Sequence, residues 1–289
     1  MDPGKRLGGG RIPPRETVFG RQLYPADTSG FRKTRFRCFG KKERGWPVKD
    51  IAIIFNREFR AYFYSPIAYV FSIIFIVLNA SIYMFHFFFF GNADMRSFFS
   101  SLPLVLGLIF IPAISMRLWS EEKKLGTIEL LLTLPMKTES IVLGKFLASL
   151  LFYLVALAGT LSIPILLLFL GRPDFGPIFG GYFGAVLLGA YFLSVGIFIS
   201  SFFSDQIVSL IITSLVCGFL TLIGWQYVPM VIDGWIPGLG EFLYNYVGVT
   251  RHFNDIERGV IDMKSIVFFL TFTALFIYLN AKFLERRKY

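Results

Sequence analysis

The sequence predicts an all-α, polytopic membrane protein: six transmembrane helices preceded by an amphipathic helix. Three observations predict it. Only 17% of the 289 residues are charged while 55% are hydrophobic, against roughly 25% charged in an ordinary soluble chain. The uncharged residues gather in runs of about 20, long enough to cross a hydrocarbon core roughly 30 Å thick. Backbone amides in lipid must be satisfied within their own segment, so such runs are read as helices.

Taken in order, residues 1–46 are rich in Gly, Pro and Arg without apolar periodicity, and read as a disordered basic cytoplasmic tail. They lack the apolar stretch of a secretory signal. Residues 47–64 read as an interfacial helix. Ile51, Ile54, Phe55, Phe59, Tyr62 and Phe63 share one face, and Lys49, Asn56, Arg57 and Arg60 the other. Aromatics opposite cations suit a helix lying in the membrane interface. Glu58 breaks the pattern on the apolar side; it either pairs with a neighbouring cation or reaches to the headgroups.

The spans are predicted at 66–90, 102–118, 141–170, 178–203, 207–228 and 265–284. The second is the shortest and carries Pro103 and Pro112. The third is over-long and carries Pro164, which predicts a kink or a non-spanning end. With both termini in the cytoplasm, that side collects all the Lys and Arg except Arg96, Arg172, Arg251, Arg258 and Lys264; the positive-inside rule favours this orientation. A basic cytoplasmic face beside anionic lipid accounts for the net charge of +10. A nucleic-acid partner is therefore not expected. The outer segment 229–264, with Trp235, Tyr244 and Tyr246, is expected to form short helices at the outer headgroups.

The most informative stretch joins the second and third spans: Arg117-Leu-Trp-Ser-Glu-Glu-Lys-Lys-Leu-Gly-Thr-Ile-Glu-Leu-Leu-Leu-Thr-Leu-Pro-Met-Lys137. Charges cluster at Glu121, Glu122, Lys123 and Lys124, Gly126 interrupts them, and an apolar run follows until Pro135, which cannot continue a helix interior. A short amphipathic element at the membrane surface fits, either as a hairpin packed on its own bundle or with side chains available to a partner.

This stretch resembles the cytoplasmic loop of the ABC-2 family of ABC-transporter permeases, roughly E-E-K-x-x-G-T-x-E-x-L-L-x-x-P running into G-K-x-x-A. The matching residues are Glu121, Glu122, Lys123, Gly126, Thr127, Glu129, Leu131, Leu132, Pro135, then Gly144, Lys145 and Ala148. Arg57-Glu58-Phe59-Arg60 and Ser65-Pro66-Ile67-Ala68-Tyr69 are similar to the family's N-terminal segment, most like the gliding-motility and nitrous-oxide-reductase-maturation type. The resemblance covers residues 48–289. It implies a permease subunit of the plasma (inner) membrane, not itself an enzyme, that works with a second permease subunit and two copies of an ATP-binding subunit. Residues 119–136 would be the coupling helix, with Glu121, Glu122, Gly126, Thr127, Glu129, Leu131 and Pro135 as coupling residues. Arg57, Glu58 and Arg60 would mark a second contact surface. ATP and Mg would be held by the partner, and no G-x-x-x-x-G-K-[ST] loop is present here to hold them.

Other candidates carry less. Gly180, Gly184, Ala185 and Gly189 form a small-residue stripe that suits close helix packing, within the subunit or between copies. Asn79, Ser81, His86, Ser209, Thr213 and Thr221 are polar positions within spans and face the bundle. His86 and His252 lack the ligand company a metal needs. Cys38 and Cys217 fall in segments that cannot meet, so no disulfide is expected. An intramembrane enzyme is disfavoured by the absence of H-E-x-x-H or paired intramembrane aspartates. A scaffold or channel without ATP coupling is the main competing reading.

Overall fold

The computed structural model describes residues 47–91, 94–133, 136–170, 174–225, 227–259 and 262–287. The tail at 1–46 and Pro135 lie outside them. The described residues form helices and no strand, and the chain is a multi-pass membrane protein.

α1 (Pro47–Tyr64) meets α2 (Pro66–Phe90) at Ser65, whose extended backbone precedes a proline in the first turn of α2. Proline is tolerated there because that N–H has no intrahelical acceptor. α1 lies along α6 (Thr138–Gly159), with Ile54 and Tyr62 buried. Gly144 makes this approach possible: a Cβ there would stand 2.8 Å from that of Ile54 and 3.1 Å from the Ile51 carbonyl. Tyr62 stacks on Phe152 at 4.9 Å.

The second span is longer than the sequence reading allowed. It runs as one rod from Arg96 to Lys124, built of α3 (Arg96–Val105), a π turn (Leu106–Phe110) and α4 (Ile111–Lys124). Hydropathy ended the span at Leu118, shortly before the charge cluster of Glu121 to Lys124. Helical hydrogen bonding continues six residues further because α4 packs against neighbouring helices there instead of lipid, with Trp119, Ser120 and Glu122 buried. At its other end Phe98, Phe99 and Leu102 are fully buried, so Ser97 and its neighbours belong to the rod as well.

The third long stretch breaks at Thr160 and Leu161, between α6 and α7 (Ser162–Leu170). Pro164 of the predicted kink sits in the first turn of α7. α8 (Phe175–Ser200) is the most enclosed candidate span, with 72% of its apolar window buried, and therefore acts as the central post. α9 (Gln206–Ile223) begins at an Asp205 cap, whose carboxylate accepts from the Ile207 N–H. α10 (Tyr227–Asp233), α11 (Leu239–Tyr246) and α12 (Val249–Glu257) lead to α13 (Met263–Arg287).

The glycines of α8 hold an element of the same chain. A Cβ at Gly180 would fall 2.6 Å from the Ile256 carbonyl, and one at Gly184 would meet Ile256 and Phe253 at 3.2 Å. α12 is thus seated on the small-residue stripe, and Thr250 fastens its start to the end of α9 by donating to the Thr221 carbonyl at 2.9 Å. His252 stacks on Phe268 of α13 at 4.2 Å, while Trp235, Tyr227 and Tyr246 of α10, α11 and their link are exposed.

The bundle therefore has two ends. One, the basic end, gathers α1, the end of α4, α5 (Thr127–Thr133) and the starts of α6 and α9. The opposite end carries α10 to α12.

Candidate functional site at the basic end

The site is built where α1, α4 and α6 converge. Lys145, one residue past the glycine that admits α1, is 1% exposed. Its ammonium donates to Glu58 Oε1 at 3.0 Å, to Glu122 Oε1 at 3.0 Å and to the Leu118 carbonyl at 2.9 Å. An ammonium has three protons, and all three are used. Arg57 reaches the same two carboxylates, at 3.0 Å to Glu58 and 2.6 Å to Glu122. Two cations thus meet two anions, and three helices are tied at one point. Lys145 also lies 5.0 Å from the Trp119 ring centroid.

Burial works against ionised Glu58 and would raise its pKa, but Lys145 and then Arg57 outweigh it and hold the carboxyl below its ordinary range. Glu122 Oε2 and Trp119 Nε1 are buried without a hydrogen-bond partner. Around the network opens a cavity of about 400 Å³, lined among others by Arg57, Tyr62, Arg117, Glu122, Leu130 and Lys145.

Of the segment 119–136 expected as one coupling helix, the described residues 119–133 form a hairpin of two helices. The end of α4 and the short α5 are separated by Leu125 and Gly126. Gly126 has φ +69°, a left-handed conformation that costs a side-chain-bearing residue roughly 1–2 kcal/mol. Thr127 Oγ1 bonds back to the Glu122 carbonyl at 3.3 Å and closes the turn. Leu131 is buried, anchoring α5, whereas Leu125 and Leu130 are about 70% exposed.

Of the residues singled out in the sequence, Arg57, Glu58 and Glu122 enter the network. Glu121 sits beside it, accepting from Arg117 at 3.2 Å. Gly126 and Thr127 make the turn. Glu129 and Arg60 are exposed and join no part of the network. Lys145 was not singled out as a site residue. Its signal was available: a lone cation opening an otherwise apolar run, a position where charge is costly unless paired. Arg117 was missed likewise; its guanidinium lies 5.9 Å from the Tyr62 ring centroid.

The fold and this site define a class: a six-span helical membrane protein whose two-helix hairpin, at one end, is joined to the bundle by a buried charge network. The chain belongs to the ABC-2 family of transporter proteins, whose family model matches residues 52–288. It is accordingly a membrane component of an ABC transporter, and family members are not themselves ATPases. No curated protein matches the sequence.

Proposed function

We propose that this chain is the permease subunit through which a separate ATP-binding subunit drives export, or mechanical work, across the plasma (inner) membrane. The basic end faces the cytoplasm, as the distribution of Lys and Arg supports. Two ATP-binding subunits, holding ATP and Mg, dock on the hairpins of two permease subunits, identical or paralogous. The likeness of Arg57–Arg60 and Ser65–Tyr69 to the gliding-motility and nitrous-oxide-reductase-maturation type supports assigning the chain to that branch.

One observation carries the reading. A hairpin with two exposed leucines, Leu125 and Leu130, is fixed through its own Glu122 to two further helices, by Lys145 of α6 and Glu58 of α1. Exposed leucines offer a partner apolar area to bury, and the buried network ensures that a push on α5 reaches the second and third spans. Glu121, Glu122, Gly126, Thr127, Glu129, Leu131 and Pro135 form the coupling segment in this reading, and α1, with Arg57, Glu58 and Arg60, lies beside it.

The test is purification of the tagged full chain from its own membrane. An ATP-binding subunit should accompany it in stoichiometric amount, and Leu125→Asp with Leu130→Asp should release that subunit while the bundle stays folded. A chain that arrives without an ATPase is a scaffold or channel, and the proposal falls.

A further inference from the structure

We propose that the second span is a hinged lever, bending at residues 106–112, with Ser214 of α9 as the catch that holds its present register. The inference takes from the proposed function only that force enters at the basic end.

The hinge has a covalent cause. Pro112 has no N–H to give the Leu108 carbonyl, its i−4 acceptor. The helix answers with a π turn at Leu106–Phe110, closed by the Ile111 N–H donating to the Leu106 carbonyl. Ser214 Oγ donates to the Leu108 carbonyl from the neighbouring helix at 2.7 Å. One interhelical hydroxyl therefore does what an internal amide does elsewhere, and it does so at the weakest point of the rod.

The two sides of the turn are held differently. Towards the opposite end, α3 interdigitates large rings: Phe99 packs edge-on to Tyr182 at 5.2 Å and presses on Gly181, and Phe98 meets Tyr83. Towards the basic end, α4 meets α8 through small and hydroxylated residues. Ser115 lies against Gly196, the Trp119 amide donates to Ser200 Oγ at 3.2 Å, and Lys123 bonds the Ser201 carbonyl. Interlocked rings resist sliding, whereas hydroxyl bonds exchange partners at small cost. The Glu122 network ties the end of α4 to α1 and α6 and not to α8, so these three would tilt against α8 together. On α9 the hydroxyls of Ser209 and Thr213, both fully buried, have no partner. They lie basic-ward of Ser214 on the helix that faces α4, placed to receive backbone groups that a tilt of α4 would free.

The experiment uses the full chain in nanodiscs, with Cys38→Ser and Cys217→Ala, and spin labels at two pairs. Ser100 with Phe179 reports α3 against α8; Lys124 with Phe202 reports α4 against the end of α8. In Ser214→Ala the 124–202 distances should spread, the alternative distances rising roughly five- to tenfold in population, as loss of one hydrogen bond gives. The 100–179 pair should stay fixed. Ser214→Thr, which keeps the hydroxyl, should match the parent. Both pairs shifting together, or neither responding, overturns the hinge. In the assembled transporter Mg-ATP should move the 124–202 pair alone, and joint movement there again overturns it. Lack of an ATP-binding partner defeats the proposed function, and the chain-alone result still decides the hinge.

Discussion

Lys145 is the residue on which the basic end turns. A buried ion pair adds little net stability over well-packed apolar groups, but removing one partner leaves charge in a poor solvent and costs roughly 3–5 kcal/mol. Lys145→Met should therefore destabilise the protein by about that amount, read as a lowered Tm in detergent. The triple variant that combines Lys145→Met with Glu58→Gln and Glu122→Gln should regain much of it, because no carboxylate is then left unpaired. If the single and triple variants melt alike, the network does not have the balance described. The pH response follows from Glu58. Its folded pKa lies below the free value, so its contribution is full above the unfolded pKa and is lost as pH falls through the folded one. Acid should loosen the basic end, and Glu58→Gln should remove that part of the acid sensitivity.

At the scale of elements, two glycines have separate duties that substitution can tell apart. Gly144→Ala forces a methyl against Ile54 and the Ile51 carbonyl, and overpacking of this kind costs about 1–3 kcal/mol. It should detach α1, making Ile54 accessible when exchanged for cysteine and labelled, while α5 stays in place. Gly126→Ala meets nothing within 4 Å but strains the turn, so it should disturb the hairpin and leave α1 packed. Equal labelling patterns in the two variants would contradict this division. The sequence made part of this legible. Glu58 stood out as a carboxylate on an apolar face, and Gly126 as a break in a charged run. The partner of Glu58 was not legible, since Lys145 lies 87 positions away and only tertiary packing joins them. The reach of the second span was also hidden. Hydropathy sees lipid-facing surface, and α4 beyond Leu118 is buried against protein instead. Pro112 was visible, but the Ser214 hydroxyl that meets the Leu108 carbonyl comes from another helix, 106 positions away.

The whole molecule joins two ends of opposite chemistry through α8. The basic end is held by ionised groups, whereas the opposite end contains a carboxyl that is better off protonated. Glu257, the last residue of α12, is 6% exposed. Burial, then the nearby Asp94, raise its pKa to about 7, against the smaller pull of Arg258 and Arg96. Its position at the negative end of the helix dipole acts in the same direction. An unfolded chain gives up this proton near 4.5, while docked α12 keeps it to about 7. Across that window the folded state binds the extra proton, so stability falls as pH rises. The difference corresponds to about 3 kcal/mol, enough to matter to a nine-residue helix that is seated by a glycine stripe, the Thr250 bond and the contacts of His252 with Phe268 and Ser265. The parent protein should accordingly lose Tm between pH 5 and pH 8, and Glu257→Gln, neutral throughout, should lose clearly less. Proximity labelling of a cysteine introduced at Phe253 should report the same trend locally, with more reaction at pH 8 in the parent and no change in the Gln variant. Identical pH profiles for the two proteins would mean that Glu257 is solvated, and that α12 is not seated on α8 as described. The acid weakening at Glu58 begins only below the window in which Glu257 releases its proton, so one titration separates the two ends.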